Sequence, residues 1–171
     1  MRKVYILPNL FTAGSLFCGM LAIYEVFKGD LLQACWLILL AAVLDVCDGA
    51  IARLTRTSSE FGLNFDSLSD LVSFGVAPAL LAYHTLSNEF PRVATAICSL
   101  FVVFSALRLA RFNVQASSEE KTTFIGLPTP MAALAVISVI WVLEVNHYMV
   151  DIGRRVAVVY AAAIISVAYL M

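Results

Sequence analysis

Long apolar segments, each near the length of a membrane-spanning helix, constrain this chain more than any other feature. A helix needs about 20 mainly apolar residues to cross the hydrocarbon core of a bilayer. Six segments approach that length: 10–27, 31–52, 61–85, 94–109, 131–145 and 156–171. With 61% hydrophobic and 13% charged residues and a mean hydropathy of +0.91, the chain is far more apolar than a soluble domain. We therefore expect an all-α polytopic membrane protein with six transmembrane helices, folded as one domain over residues 1–171.

Composition also argues against several other classes of protein. The four cysteines are far apart in sequence and form no CxxC motif, so neither a zinc site nor a disulfide framework is indicated. No block of basic residues is present, so nucleic acid is not an expected partner.

Basic residues near the ends of the spans predict the orientation in the membrane, because cytoplasmic loops carry an excess of lysine and arginine. With the N-terminus in the cytoplasm, seven basic residues fall inside: Arg2, Lys3, Arg53, Arg56, Arg108, Arg111 and Lys121. Four fall outside: Lys28, Arg92, Arg154 and Arg155. This bias favours a protein of the cell or inner membrane with both termini in the cytoplasm.

Acidic residues gather where the second and third predicted spans approach their shared turn, 53–60. Asp45 and Asp48 are three residues apart, and Asp66 and Asp70 are four apart, so each pair shares a helix face. Because the connecting turn is short, the two helices are antiparallel neighbours. The four carboxylates are therefore expected to converge at one end of the bundle. The same two faces carry four further residues: Gly49, Ala52, Arg53 and Gly62.

Four carboxylates this close require positive charge, because ionisable groups within a membrane are costly unless paired. Mg²⁺ and Mn²⁺ prefer oxygen ligands, and pairs of such ions recur in enzymes that displace groups at phosphorus. Glycines at positions 49 and 62 would let a ligand reach the metals, and Arg53 suits a diphosphate. The acids alone also fit the cation site of a transporter, although such sites usually lie near the membrane midplane.

The complete pattern, D-x2-D-G-x2-A-R-x8-G-x3-D-x3-D over residues 45–70, resembles the signature of the CDP-alcohol phosphatidyltransferase family at every defined position. The resemblance implies a six-span fold and a homodimer. It also implies metal-dependent transfer of a phosphatidyl group from a CDP-linked lipid to an alcohol, with release of CMP.

The resemblance further implies roles for the matching residues. Asp45, Asp48, Asp66 and Asp70 would hold two divalent cations, Mg²⁺ or Mn²⁺, and Asp70 would also be the general base for the acceptor hydroxyl. The residues expected to bind CDP-diacylglycerol are Gly49, Ala52, Arg53, Gly62 and, from an opening P-N-x2-T element, Asn9 and Thr12. The residues alone leave open a second mechanism, in which an aspartate attacks phosphorus itself.

The acceptor is indicated by a finer resemblance. Three segments are similar to the branch of the family that uses L-serine: 65–79, 106–113 and 124–130. Serine carries a carboxylate that needs a cation, so Arg108, Arg111 and Asn113 are the expected serine-binding residues. The arginines would also suit lipid headgroups, or the phosphate of glycerol 3-phosphate or inositol phosphate in a sibling enzyme.

Overall fold

The computed structural model describes residues 6–55, 59–87, 90–117 and 129–145, and every regular element in these ranges is helical. The elements in chain order are α1 (Ile6–Lys28), α2 (Leu31–Thr55), α3 (Glu60–Asp70), a π-helical segment (Leu71–Val76), α4 (Ala77–Leu86), α5 (Pro91–Ser117) and α6 (Thr129–Val145). Helical backbone dihedrals continue through Asp70 and Ala77, so α3, the π-helical segment and α4 form one unbroken helical stretch.

Among the described residues, four helical stretches are long and apolar enough to cross a membrane, which makes the chain an integral membrane protein. They are Asn9–Lys28, Leu31–Ile51, Glu60–Leu86 and Pro91–Val114, and a shorter apolar helix follows at Thr129–Trp141. The all-helical membrane fold is therefore confirmed. The expected sixth span, 156–171, lies outside the described residues, so the count of six stays a prediction.

Two helices end later than the sequence indicated. Helix α5 continues through Ser117, beyond the end of the predicted apolar segment 94–109 and into the polar stretch 115–123. The second helix likewise continues to Thr55, beyond the predicted start of the turn at Arg53. In the second case Ala52, Arg53 and Leu54 are good helix formers, so the helix has no local reason to stop earlier.

A tight two-residue connection makes α1 and α2 antiparallel. Gly29 has a φ of +84°, a conformation that favours glycine. Its N–H donates to the carbonyl of Val26 (3.1 Å), and that of Asp30 donates to the carbonyl of Glu25 (3.0 Å), which satisfies the end of α1. The carboxylate of Asp30 then accepts from the N–H of Gln33 and caps the start of α2.

Many small apolar and hydroxyl side chains lie in the interior beside a few large ones such as Phe74 and Phe101, whereas many other large apolar side chains face outward. Ala22 of α1 and Ala34, Cys35 and Ala41 of α2 are buried where these helices pack along their lengths. Small residues allow the close backbone approach on which helix association in membranes depends. Exposed large apolar residues, for example Phe17, Trp36 and Leu107, suit a lipid environment.

The helix arrangement brings five helix termini to one end of the bundle. The beginnings of α1, α3 and α6 meet the ends of α2 and α5 there, as side-chain contacts between these helices show. The residues that the sequence singled out for chemistry lie at or near these termini, with Asp70 at the other end of the short helix α3, so this end positions the site.

Candidate active site

Three carboxylates converge where the end of α2 meets α3. One carboxyl oxygen from each of Asp45, Asp48 and Asp66 lies within 4.8 Å of the others. Helix α2 supplies two of them from one face because they are three residues apart, and α3 supplies the third. The structure thus brings together three of the four acids expected to meet, and Asp48 among them is deeply buried, with 5% of its surface exposed.

Asp70, at the end of α3, completes the acidic cluster. It interacts electrostatically with Asp45, Asp48 and Asp66, and its carboxyl group is in hydrogen-bonding contact with that of Asp45. Its Oδ1 is buried and has no hydrogen-bond partner within the part of the chain that the structure describes.

This donor set fits a hard divalent cation. Buried polar atoms are nearly always paired, so the unpaired Oδ1 of Asp70 requires a partner. Carboxylate oxygens are the ligands that Mg²⁺ and Mn²⁺ prefer, and several converging carboxylates are stable together only when their charge is balanced. Asp45, Asp48, Asp66 and Asp70 are therefore the residues that could hold metal ions.

Thr12 of α1 connects the two helices that carry the acids. Its hydroxyl donates to Oδ2 of Asp48 (2.8 Å), and its backbone carbonyl accepts from the hydroxyl of Ser69 (3.1 Å), the residue before Asp70. The side chains of Thr12, Ser69 and Asp48 are all buried. Thr12, expected to bind substrate, therefore contacts a metal-ligand candidate directly, and its contact with the nucleotide stays a prediction.

A second layer of hydroxyl contacts lies one turn deeper. Ser73 donates to the carbonyl of Ser15 (3.1 Å), and Ser15 donates to the carbonyl of Ala41 (3.1 Å). Gly19 packs directly against Ser73, because a Cβ placed on Gly19 would lie 2.8 Å from the Cα of Ser73. Ser73 belongs to the π-helical segment, whose widened turn is marked by the Ala77 N–H donating to the carbonyl of Val72. Helix α1 is thus held against α2 and the π-helical segment immediately below the acids.

Asn9 and Gly62, both expected to bind CDP-diacylglycerol, are neighbours across the α1–α3 contact. A Cβ on Gly62 would lie 3.3 Å from Oδ1 of Asn9 and 3.1 Å from Oγ of Ser59. The hydroxyl of Ser59 accepts from the N–H of Gly62 (2.9 Å) and so caps α3. The missing side chain at Gly62 therefore makes room for Asn9 beside the cap.

The remaining residues expected to bind CDP-diacylglycerol lie on the last turns of α2. Gly49 is half-buried and directly follows Asp48. Ala52 and Arg53 belong to the same helix, and their side chains lie outside the described residues. Their contacts with the diphosphate stay predictions.

Arg108 of α5 lies at the edge of the acidic cluster. It is half-buried, it is within electrostatic range of Asp70, and its Nη1 donates to Oγ1 of Thr129 (2.7 Å). Thr129 is the first residue of α6 and is completely buried. The contact ties together the end of α5 and the start of α6.

Asn113 and Arg111 differ in their surroundings. The Oδ1 of Asn113 accepts from the hydroxyl of Ser67 (3.0 Å), a residue of α3 next to Asp66, so Asn113 is held beside the acids. Arg111 is exposed. The structure therefore brings Arg108 and Asn113 to the cluster and leaves Arg111 at its periphery.

Four hydroxyl residues that organise this site had no individual role predicted from the sequence, although they lie in segments that resemble the L-serine branch: Ser67, Ser69, Ser73 and Thr129. The sequence contains a spacing pattern that could have identified two of them, Ser69 and Ser73. Ser69 and Ser73 are four residues apart in one predicted helix, and Thr12 and Ser15 are three apart in another, which predicts two polar stripes that can face each other. Thr129 lies in the segment 124–130 that resembles the L-serine branch, but no spacing pattern pairs it with Arg108, which is 21 residues away in sequence.

Comparisons with known proteins agree with this geometry. The family model described as CDP-alcohol phosphatidyltransferase matches residues 5–169. The CDP-diacylglycerol–serine O-phosphatidyltransferase of Helicobacter pylori is 44% identical over 148 residues, which are 86% of this chain and 62% of that protein. The Bacillus subtilis protein of the same name is 34% identical over 131 residues, covering 77% of this chain and 73% of that protein.

An archaeal relative is also similar. The archaetidylserine synthase of Methanothermobacter thermautotrophicus is 41% identical over 134 residues, which are 77% of this chain and 56% of that protein. The chain thus spans about three fifths of the length of several curated relatives that it matches, including that of Helicobacter pylori.

Proposed function

The chain belongs to the CDP-alcohol phosphatidyltransferase family, and we propose that it transfers the phosphatidyl group of CDP-diacylglycerol to the hydroxyl of L-serine, giving phosphatidylserine and CMP. The observation that carries the reaction is the convergence of Asp45, Asp48 and Asp66 beside the buried, unpaired Oδ1 of Asp70. L-serine as the acceptor is supported by the names of the relatives, which specify serine or a serine product.

Two divalent cations, Mg²⁺ or Mn²⁺, would be held by Asp45, Asp48, Asp66 and Asp70. When bound, such ions offset the negative charge of the diphosphate and of the departing CMP.

Asp70 is proposed as the general base. A serine hydroxyl is a poor nucleophile at neutral pH, and a carboxylate within hydrogen-bonding reach can take its proton during attack. The hydroxyl oxygen forms a bond to the phosphorus that carries the diacylglycerol. The bond from that phosphorus to the bridging oxygen breaks, and CMP leaves with the electron pair, while the proton stays on Asp70. Attack by an aspartate on phosphorus is the alternative, and it would create a covalent phosphatidyl-enzyme.

The other residues bind and orient the substrates. Arg108 is proposed to bind the carboxylate of serine, because it interacts electrostatically with the base that must meet the hydroxyl of the same small molecule. Asn113 offers its amide N–H groups to the acceptor while Ser67 engages its oxygen. The proposed contacts with CDP-diacylglycerol come from Asn9, Gly49, Ala52, Arg53 and Gly62. Arg111, exposed at the same end, would draw anionic lipid or substrate toward the site.

The bias of basic residues supports an active site that faces the cytoplasm. A homodimer is the assembly that the family resemblance supports. Both are part of the proposal.

The test is CMP release by purified protein in detergent with CDP-diacylglycerol and Mg²⁺ or Mn²⁺. L-serine, glycerol 3-phosphate and inositol phosphate are supplied separately, and Asp70→Asn serves as the inactive control. Release that depends on L-serine supports the proposal. Release with another acceptor would support phosphatidyl transfer as the reaction and would overturn L-serine as the acceptor. No release with any acceptor from folded, metal-loaded protein overturns the reaction and makes a cation-flux assay the next experiment.

A further inference from the structure

The contact between Arg108 and Thr129 has a feature that simple packing does not require. Thr129 is completely buried, yet its hydroxyl is engaged by a charged side chain at 2.7 Å. A hydrogen bond from a charged donor is shorter and stronger than one between neutral groups. Breaking it would leave a buried hydroxyl and a half-buried guanidinium without this partner, so the pair holds its geometry firmly.

The surroundings of Arg108 indicate a role for a guanidinium that is held in one orientation. Asp70 interacts electrostatically with the guanidinium without forming a close ion pair with it. Thr129 lies on a different helix and accepts a hydrogen bond from Nη1, so it holds the guanidinium from another direction. A guanidinium has five N–H donors in one plane. When one donor is bound to Thr129, the orientation of the plane is fixed, and two of the other donors can still bind the two oxygens of a carboxylate.

We infer that Thr129 is a positioning residue for the acceptor: it orients Arg108 so that the guanidinium binds the carboxylate of an amino-acid substrate while the hydroxyl of that substrate meets Asp70. This inference rests on the proposed function. It assigns a role in acceptor recognition to the start of α6, an element that contributes none of the predicted site residues.

The test distinguishes the effect of the Thr129 hydroxyl from the effect of the volume of its side chain. Thr129→Val and Thr129→Ala remove the hydroxyl, and Thr129→Ser keeps it. Thr95→Val is the matched control, because Thr95 lies at the other end of α5 and its hydroxyl donates only within its own helix, to the carbonyl of Pro91 (2.8 Å). Each variant is assayed for KM of L-serine, KM of CDP-diacylglycerol and kcat, and its thermal unfolding in detergent is recorded.

Loss of the hydroxyl is expected to raise KM for L-serine about tenfold, as loss of a hydrogen bond to a charged group would. KM for CDP-diacylglycerol should stay within about twofold, and Thr129→Ser and Thr95→Val should behave like the wild type. In an Arg108→Lys background, Thr129→Ala should add little, because the planar fork that Thr129 orients is already gone.

Equal changes in both KM values, or an effect of Thr129→Ala that persists undiminished in the Arg108→Lys background, would overturn the inference and leave a packing role. If Thr129→Val does not fold, Thr129→Ala decides the question. Transfer by the wild type to glycerol 3-phosphate or inositol phosphate would overturn the proposed acceptor. In that case a raised KM for that anion in Thr129→Ala would still support the positioning of Arg108, whereas an unchanged KM would overturn it.

Discussion

The hydroxyl of Thr12 donates a 2.8 Å hydrogen bond to Oδ2 of Asp48, and both side chains are buried. This bond joins α1 to the acid-bearing end of α2. The carbonyl of the same threonine accepts from Ser69, which precedes Asp70 on α3. One residue of α1 therefore sets the spacing of the two acidic helices. Residues that hold a metal ligand in place commonly affect metal affinity without touching the ion.

Thr12→Val should weaken Mn²⁺ binding by about tenfold, because Asp48 loses the donor that orients its carboxylate. Mn²⁺ binding is measured directly by electron paramagnetic resonance, which detects the free ion and does not depend on turnover. Thr12→Ser should retain the affinity. Thr85→Val is the control, since the hydroxyl of Thr85 donates within its own helix to the carbonyl of Leu81. Unchanged Mn²⁺ affinity in Thr12→Val would show that Asp48 is oriented by other contacts.

Metal removal should abolish activity. Treatment with a chelator is expected to reduce CMP release to background, because the clustered acids lose the ions that balance their charge. Mg²⁺ or Mn²⁺ should restore release. Ca²⁺ need not do so, since it prefers a larger number of ligands and longer bonds. Full activity in chelator, with metal content below the enzyme concentration, would contradict a metal-dependent reaction.

The sequence alone was enough to predict the membrane helices and the convergence of the acids. Apolar runs near 20 residues identify spans, and spacings of three and four around a short turn place Asp45, Asp48 and Asp66 together. The sequence was insufficient where an outcome depends on how helices fit together. Pro78, two residues after the π-helical segment, signals an irregularity in this helix. The contact of the segment with Gly19 through Ser73 joins residues 54 positions apart and depends on helix packing.

The two arginines illustrate the same limit. Arg108 and Arg111 are three residues apart, so periodicity assigns them to nearly the same face. Only the packing of α5 against α3 and the start of α6 separates them. It places Arg108 in contact with Thr129 and in electrostatic interaction with Asp70, and it leaves Arg111 exposed.

Gly19→Ala should destabilise the bundle by about 1–3 kcal/mol, the usual cost of overpacking a tight contact. The added Cβ would lie 2.8 Å from the Cα of Ser73, so backbone and not a flexible side chain must shift. Gly14→Ala on the same helix is the matched control, because its Cβ would meet only the end of the Leu44 side chain at 3.4 Å. Thermal unfolding in detergent checks both variants. Equal midpoints would show that the α1 contact with the π-helical segment is not tight.

Asp70→Asn should lower kcat by about 10²–10⁴, the range that general-base catalysis contributes. The amide keeps one oxygen for a cation but cannot take the proton of the acceptor hydroxyl. Mn²⁺ binding should therefore fall less than kcat does. Normal turnover in this variant would remove Asp70 from the role of base.

Arg108→Ala should raise KM for L-serine more than Arg111→Ala does, by about tenfold or more, because Arg108 is the half-buried cation near Asp70 and Arg111 is exposed. A partly desolvated cation interacts more strongly with a carboxylate than an exposed one, which water and salt screen. KM for L-serine and for CDP-diacylglycerol are measured for both variants at low and high salt. Salt should change the effect of Arg111→Ala on KM for L-serine by a larger fraction than it changes the effect of Arg108→Ala, because ions in solution screen long-range attraction. A larger increase in KM for L-serine in Arg111→Ala would place the acceptor carboxylate at the exposed arginine and move the acceptor site away from the start of α6.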